Sequence, residues 1–83
     1  MMKIKVGNMT NYERILAKAQ AVPELLNLSG QVADSRIIRA LDIAHRTWYV
    51  WKDNDFENIT RSNIDKLLQL LGCKYEDIFQ TNH

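Results

Sequence analysis

The sequence contains few of the residues on which secreted domains, metalloproteins and most small enzymes depend. Its 83 residues include one cysteine, one proline, three glycines and two histidines. The single Cys73 excludes an internal disulfide and a zinc site built from cysteines, and it is typical of a reducing compartment. No apolar run approaches the roughly 20 residues that cross a bilayer, and the first residues lack the apolar stretch of a signal peptide. These absences predict a soluble, cytoplasmic protein without membrane contact.

Charge of one sign is also scarce. Eleven Lys and Arg residues against ten Asp and Glu residues give a net charge of +1, so no overall field draws the chain toward nucleic acid or membrane. Hydrophobic residues make up 46% and charged residues 25%, both ordinary for a soluble globular domain. A chain of this length has room for one core, which predicts a single small domain.

Apolar residues recur at helical spacing along most of the chain. A capping box, Thr10 to Glu13, opens a first helix with one apolar face. A second short helix is predicted from Pro23 to near Gly30, or this piece continues the first helix after a kink. Asp34 or Ser35 is the predicted N-cap of the next helix. The remaining predicted helices are Ser35–Leu41, Ala44–Lys52, the segment from Thr60 to Gly72, and Tyr75–Phe79.

The predicted fold class is therefore all-α, with about five short helices. Residues 1–9 form a separate N-terminal arm, in which Ile4 and Val6 alternate with Lys3 and Lys5; this is either a short strand or a segment without regular structure. The helical domain is predicted over residues 10–80, and residues 81–83 form a tail.

The sequence offers little from which to build a catalytic or metal site. His45 and His83 are the only histidines, and no Gly-rich phosphate loop or hydrolase motif is present. The acidic stretch Asp53–Glu57 is similar to the start of a calcium loop, but Asn58 and Ile64 stand where that loop needs glycine and glutamate. We predict no enzyme activity, no metal and no cofactor.

Two of the predicted helices have the length and spacing of a helix-turn-helix. Ser35–Leu41 and Ala44–Lys52 are joined by a tight turn, and the second helix carries Trp48 and Trp51 on one side. Arg46, on the other side, can bind O6 and N7 of guanine bidentately. The other candidate DNA contacts are His45, Tyr49 and Lys52 on the second helix of this pair, Arg36 and Arg39 on the first, and Arg61 and Ser62 at the start of the helix from Thr60 to Gly72. A solvated helix face and a plain aromatic core explain the same pattern, so periodicity leaves both interpretations open.

The residues also resemble a known family. Leu41–Trp51 resembles the turn and recognition helix of Xre/Cro-like helix-turn-helix regulators, where Leu-Gly-Ile-Ser-x-x-Thr-hydrophobic is usual. Ile59–Cys73 is similar to the segment Ile-x-x-x-x-Leu-Asp-Lys-Leu-x-x-x-Leu-Gly-Cys of the compact members, and Glu76–Phe79 resembles their closing Gly-Asp-Leu-Leu. The resemblance covers about residues 34 to 80. It implies a lambda-repressor-like DNA-binding domain of five helices, usually found in repressors that bind as dimers.

The resemblance also implies roles for residues of the second helix. Thr47, Trp48 and Trp51 fall on positions that face inward in the family. Positions that usually face DNA hold Ala44, His45, Arg46 and Tyr49, and Lys52 lies at the end of the helix.

The sequence departs from the family pattern in its turn and its charges. Asp42 replaces the usual turn glycine, and Ala33-Asp34-Ser35 replaces the usual Thr-Gln. From Asp34 to Arg61, both included, the sequence contains five basic and five acidic residues. Since phosphate neutralisation supplies most of the binding strength, we expect one copy to bind DNA weakly and to need a dimer, a partner, or the lysines of the arm.

The leading hypothesis is a sequence-specific DNA-binding transcriptional regulator, a repressor, that binds double-stranded DNA as a homodimer through the helix at residues 44–52. The alternative is a helix-turn-helix fold used for contact with a partner protein, as an adaptor or antitoxin in a larger nucleoprotein assembly. The neutral charge favours this alternative.

Overall fold

Five α-helices contain most of the residues that the structure describes. A computed structural model describes residues 9–79. In chain order the helices are α1 (Asn11–Ala19), α2 (Asp34–Leu41), α3 (His45–Asp53), α4 (Arg61–Leu71) and α5 (Tyr75–Ile78). The prediction of an all-α domain with about five helices is confirmed. The tail and all but the last residue of the predicted arm lie outside the described residues, so the division of the chain at residues 9 and 80 stays a prediction.

The core is shared by all five helices and the segments between them. α1 packs against α4 and α5, while α2 packs against α3 and α4. The apolar stripes of α2 and α4 face this core, although Leu68 of α4 is only half-buried. The buried side chains are Ile15, Ala19, Leu25, Ile37, Ile38, Leu41, Trp48, Trp51, Phe56, Ile59, Ile64, Leu67, Leu71, Ile78 and Phe79.

The helix ends lie close to the residues that the sequence indicated. Thr10 Oγ1 accepts a hydrogen bond from the backbone N–H of Glu13, and the Glu13 carboxylate accepts one from the N–H of Thr10, which completes the predicted capping box. Gly72 ends α4 with φ of 66°, in the left-handed region that glycine enters without a steric penalty. The first residue of α3 is His45 and its last is Asp53, one position later at each end than predicted.

The prediction of a second helix from Pro23 to Gly30 is wrong. Only Pro23–Leu25 forms a single turn of 3₁₀-helix, and Leu26 then makes an isolated antiparallel bridge with Val32. The side-chain oxygen of Asn27 accepts hydrogen bonds from the N–H groups of Ser29 and Gln31 and from the Ser29 hydroxyl. These bonds stabilise a turn in place of a helix. They leave Leu28 fully exposed at its tip.

Candidate nucleic-acid interface

α2 and α3 form a helix-turn-helix whose turn is set by Asp42. This residue has φ of 57°, in the left-handed region that aspartate tolerates better than most residues. Its N–H donates to the carbonyl of Arg39 at 3.1 Å, and the N–H of Ile43 donates to the carbonyl of Ile38 at 3.3 Å. This pair of bonds is a Schellman motif. Asp42 therefore replaces the usual glycine of the turn without loss of the C-cap.

The inner side of α3 is fixed by an aromatic cluster, which consists of Tyr12, Trp48, Trp51 and Phe56. The Trp48 side chain has no exposed surface and Trp51 is buried. The Trp48 ring meets Phe56 edge-on at 5.1 Å between centroids and meets Trp51 edge-on at 6.4 Å. Tyr12 of α1 stacks on Phe56 at 6.1 Å. The two tryptophans thus anchor α3 to the core, as the sequence predicted.

The loop after α3 supplies Phe56 to this cluster and also caps α1. Asp55 and Phe56 both have positive φ, 50° and 63°, and the Phe56 N–H donates to the Trp51 carbonyl at 2.7 Å. This conformation buries the Phe56 ring. It also directs the Asp55 carboxylate to the N–H groups of Asn11 and Tyr12, each at 3.1 Å. Asp55 therefore stabilises the N-terminus of α1.

A second group of contacts, which we call the Asp34 cluster, joins α1, α2 and α3. It contains Tyr12, Asp34, Tyr49 and Lys52. The Tyr12 hydroxyl donates to Asp34 Oδ1 at 2.8 Å, and Lys52 Nζ donates to Asp34 Oδ2 at 3.0 Å. Lys52 Nζ also lies 4.6 Å from the centre of the Tyr12 ring and 5.0 Å from that of Tyr49, which are cation–π distances.

These contacts explain why Asp34 is not an N-cap. The predicted N-cap was Asp34 or Ser35, whereas the structure places Ala33 there and makes Asp34 the first residue of α2. The carboxylate of Asp34 accepts from two long side chains of other helices, so it points across the domain and does not fold back on its own backbone.

The contacts within this cluster shift the pKa values of Asp34, Tyr12 and Lys52. Burial alone would raise the pKa of Asp34, but hydrogen bonds from Tyr12 and Lys52, the nearby indole N–H of Trp48 and the Lys52 charge outweigh burial and lower it. The Trp48 indole nitrogen is buried, and it has no hydrogen-bond partner among the described residues. Burial and the bond to Asp34 raise the pKa of Tyr12. Burial would lower the pKa of Lys52, but Asp34 raises it.

The outer side of α3 faces solvent. His45, Arg46 and the N-cap Ala44 are exposed, and Tyr49 is 46% exposed. Val50 is exposed to the same extent, one turn after Arg46 on the same side. Val50 is not among the predicted DNA contacts, although its spacing of four from Arg46 and its offset from both tryptophans place it on this face.

The candidate phosphate contacts differ in how free their side chains are. Arg36 and Arg39 are exposed on α2, and Arg61 and Ser62 are exposed at the start of α4 beside the N-cap Thr60. Lys52 is different, because its side chain is only 27% exposed and its ammonium group is paired with Asp34.

Comparison with protein families agrees with this geometry. A family model described as a Cro/C1-type HTH DNA-binding domain matches residues 24–83, well over half of the chain. The chain belongs to this family. No curated protein and no solved structure matches the chain.

The charges of this Cro/C1-type domain are arranged more favourably for DNA than their sum indicates. Asp34 and Lys52 neutralise each other, and Asp55 faces the N-terminus of α1. From residue 34 to residue 61, the exposed charges are then four arginines against three carboxylates: Arg36, Arg39, Arg46 and Arg61, with Asp42, Asp53 and Glu57. The positive side chains thus outnumber the negative ones on the exposed surface of this segment.

Residues 9–79 of this Cro/C1-type chain also lack two kinds of structural feature. No three histidine, cysteine, aspartate or glutamate side chains within that range come together in a way that could hold a metal ion. No helix in the range has the length and apolar character needed to cross a membrane.

The Asp34 cluster should make stability depend on pH in the acidic range. Because the folded protein lowers the pKa of Asp34 below its ordinary 3.8, its stabilising effect is present at neutral pH and is lost as the pH falls below about 4. We expect Asp34→Asn to lower the free energy of unfolding by about 1–3 kcal/mol at neutral pH, and by less in acid. Urea unfolding of the wild type and of Asp34→Asn, at neutral pH and at a pH below about 4, measures this difference.

Asp65→Asn, at an exposed position of α4, is the matched control and should unfold like the wild type at neutral pH. An equal effect of Asp34→Asn at both pH values would contradict the assigned role of the carboxylate.

Proposed function

We propose that the protein is a sequence-specific transcriptional regulator that acts as a repressor and contacts the DNA major groove through α3. The observation that carries this proposal is the separation of the two sides of α3. Trp48 and Trp51 fix the inner side in the core, whereas His45, Arg46 and Tyr49 stand exposed on the outer side. A helix presented in this way fits a groove about 12 Å wide.

The outer residues of α3 supply three kinds of base contact. Arg46 has the guanidinium geometry for bidentate bonds to guanine, while His45 and Tyr49 can donate to a base edge or a phosphate. Val50 supplies an apolar group suited to the methyl of thymine. Ala44, at the N-cap, lets the backbone approach DNA closely.

Phosphate contacts come from arginines on either side of α3. Arg36 and Arg39 lie on α2, and Arg61 with Ser62 lies at the N-terminus of α4, where exposed N–H groups also attract anions. These contacts orient the domain on DNA without selecting a sequence.

Two copies of the domain bind together under this proposal. One copy has few uncompensated positive charges, so it is expected to bind weakly. A symmetric pair would place two α3 helices roughly 34 Å apart, one turn of DNA, on a palindromic operator.

The second candidate function is contact with a partner protein, as an adaptor or an antitoxin. Leu28 favours it, because an apolar side chain is held fully exposed by the Asn27 turn. Binding at increasing salt separates the two candidates, since a DNA-binding regulator loses affinity steeply as salt rises, while an adaptor shows no specific shift of DNA at any salt.

The proposed function is tested by selection from a random DNA pool followed by Arg46→Ala. We expect enrichment of an inverted repeat. On that site, Arg46→Ala should cost about 1–3 kcal/mol of binding free energy and relax the preference at one base pair. The quantities to measure are the Kd for the selected site and the Kd for each single base-pair change.

Lys18→Ala is the matched control, because it removes one exposed positive charge from α1 without touching α3. A pool without enrichment, or an Arg46→Ala variant that binds the selected site as tightly as the wild type, would contradict the proposal.

A further inference from the structure

Lys52 is placed where a phosphate contact would be expected, yet its ammonium group is already engaged within the protein. It is bonded to Asp34 at 3.0 Å and lies within 5.0 Å of two tyrosine ring centres. To reach a phosphate, the ammonium would have to leave a carboxylate whose side chain is only 18% exposed. Leaving a partly buried charge without its partner is unfavourable. Lys52 is therefore poorly suited to direct DNA contact.

The contacts of Lys52 lead from the core to the outer side of α3. Tyr12 is fixed by stacking on Phe56, with 5° between the ring planes, and by an edge contact with Trp48 at 6.5 Å. The Tyr12 hydroxyl orients Asp34, and Asp34 orients Lys52. The last contact in this series is the one between the Lys52 ammonium and the Tyr49 ring.

We propose that Lys52 is a positioning residue that fixes the exposed Tyr49 ring in the orientation in which α3 meets DNA. This inference rests on the proposed function. An exposed tyrosine on a helix can occupy more than one rotamer, and a cation beside its ring favours the rotamer that keeps the contact. Lys52, Asp34 and Tyr12 then influence which base pairs are preferred without touching DNA.

The salt dependence of binding distinguishes positioning from phosphate contact. Each phosphate contact that is lost reduces the slope of log K against log salt by about 0.9. Lys52→Met keeps the length of the side chain and removes the charge. Because Lys52 contacts no phosphate under this inference, the slope should stay unchanged. Arg39→Ala, an exposed arginine of α2, is the comparison that should reduce it.

The preference among base pairs provides a readout that a merely structural role would not change. We expect Lys52→Met to weaken discrimination at the base pair contacted by Tyr49, by roughly the fivefold that a cation–π contact of about 1 kcal/mol represents. Lys52→Arg keeps the charge and should restore the wild-type preference. In a Tyr49→Ala background, Lys52→Met should have no further effect on preference, because it acts through that ring.

A measurement without DNA checks the contact itself. In the NMR spectrum of the wild type, the ε-methylene protons of Lys52 should be shifted by the ring currents of the two tyrosines. Tyr49→Ala should reduce that shift, and unshifted protons in the wild type would overturn the inference.

Two further results would overturn the inference. One is a salt slope that Lys52→Met reduces as much as Arg39→Ala does. The other is an effect of Lys52→Met on base-pair preference that is undiminished in the Tyr49→Ala background. Failure of the wild type to bind any DNA would overturn the proposed function together with this inference, and is distinct from a changed slope, which overturns the inference alone.

Discussion

Replacing Trp48 by alanine is expected to lower the free energy of unfolding by about 3–5 kcal/mol. The Trp48 ring is fully buried and contacts Phe56, Trp51 and Tyr12, so its removal leaves a cavity at the centre of the aromatic cluster. A domain of this size is typically stable by only about 4–12 kcal/mol. The substitution therefore removes a large part of the total, and α3 loses its main attachment.

Urea unfolding followed by the fluorescence of Trp51 measures the loss. Trp48→Phe is the matched control, because it keeps an aromatic ring and deletes the indole N–H that lacks a hydrogen-bond partner within the described residues. We expect it to cost clearly less than the alanine change. Equal stability of Trp48→Ala and the wild type would contradict the central position of this ring.

Phe56→Ala is expected to have the second large effect, again about 3–5 kcal/mol. The Phe56 ring is buried, stacks on Tyr12 and meets Trp48 edge-on. Its backbone lies in the left-handed region, which a bulky residue adopts only where the surrounding contacts compensate for the strain. Without the ring, the loop loses the contact that holds Asp55 against α1.

Amide hydrogen exchange distinguishes this effect from a simple loss of core volume. In Phe56→Ala, the N–H groups of Asn11 and Tyr12, which donate to Asp55, should lose protection along with global stability. Asp55→Ala is the companion variant and should expose the same two amides at a smaller cost in stability, about 0.5–2 kcal/mol for a lost cap. Unchanged protection in both variants would exclude the proposed link between the loop and α1.

The parts of the fold that the sequence predicted correctly depend on local signals. The capping box at Thr10 and the glycine at position 72 mark helix ends through their own backbone neighbours. The spacing of Trp48 and Trp51 defines the buried side of α3 in the same local way.

In the segment from Pro23 to Gly30, one local signal prevails over another. Its leucines have helical spacing, but Asn27, Ser29 and Gly30 are turn residues, and the asparagine side chain can bond the backbone that follows it. That pattern, weighed against the leucines, would have predicted the observed turn.

The Asp34 cluster and the Asp55 cap could not be predicted in this way. Tyr12 bonds a residue 22 positions away, and Asn11 bonds one 44 positions away. Such contacts depend on how the helices pack. From sequence alone, Asp34 is predicted as a cap and Asp55 has no predicted partner, so both carboxylates count against DNA binding whatever their direction in the fold.

The two sides of α3 also have a consequence for how such a domain can change. His45, Arg46 and Val50 are exposed, and none of the three belongs to the buried core of residues 9–79. Under the proposed function, target preference can diversify by substitution at these three positions while the scaffold evolves under independent constraint. Tyr49 is the exception, since a new residue there must also suit its lysine neighbour.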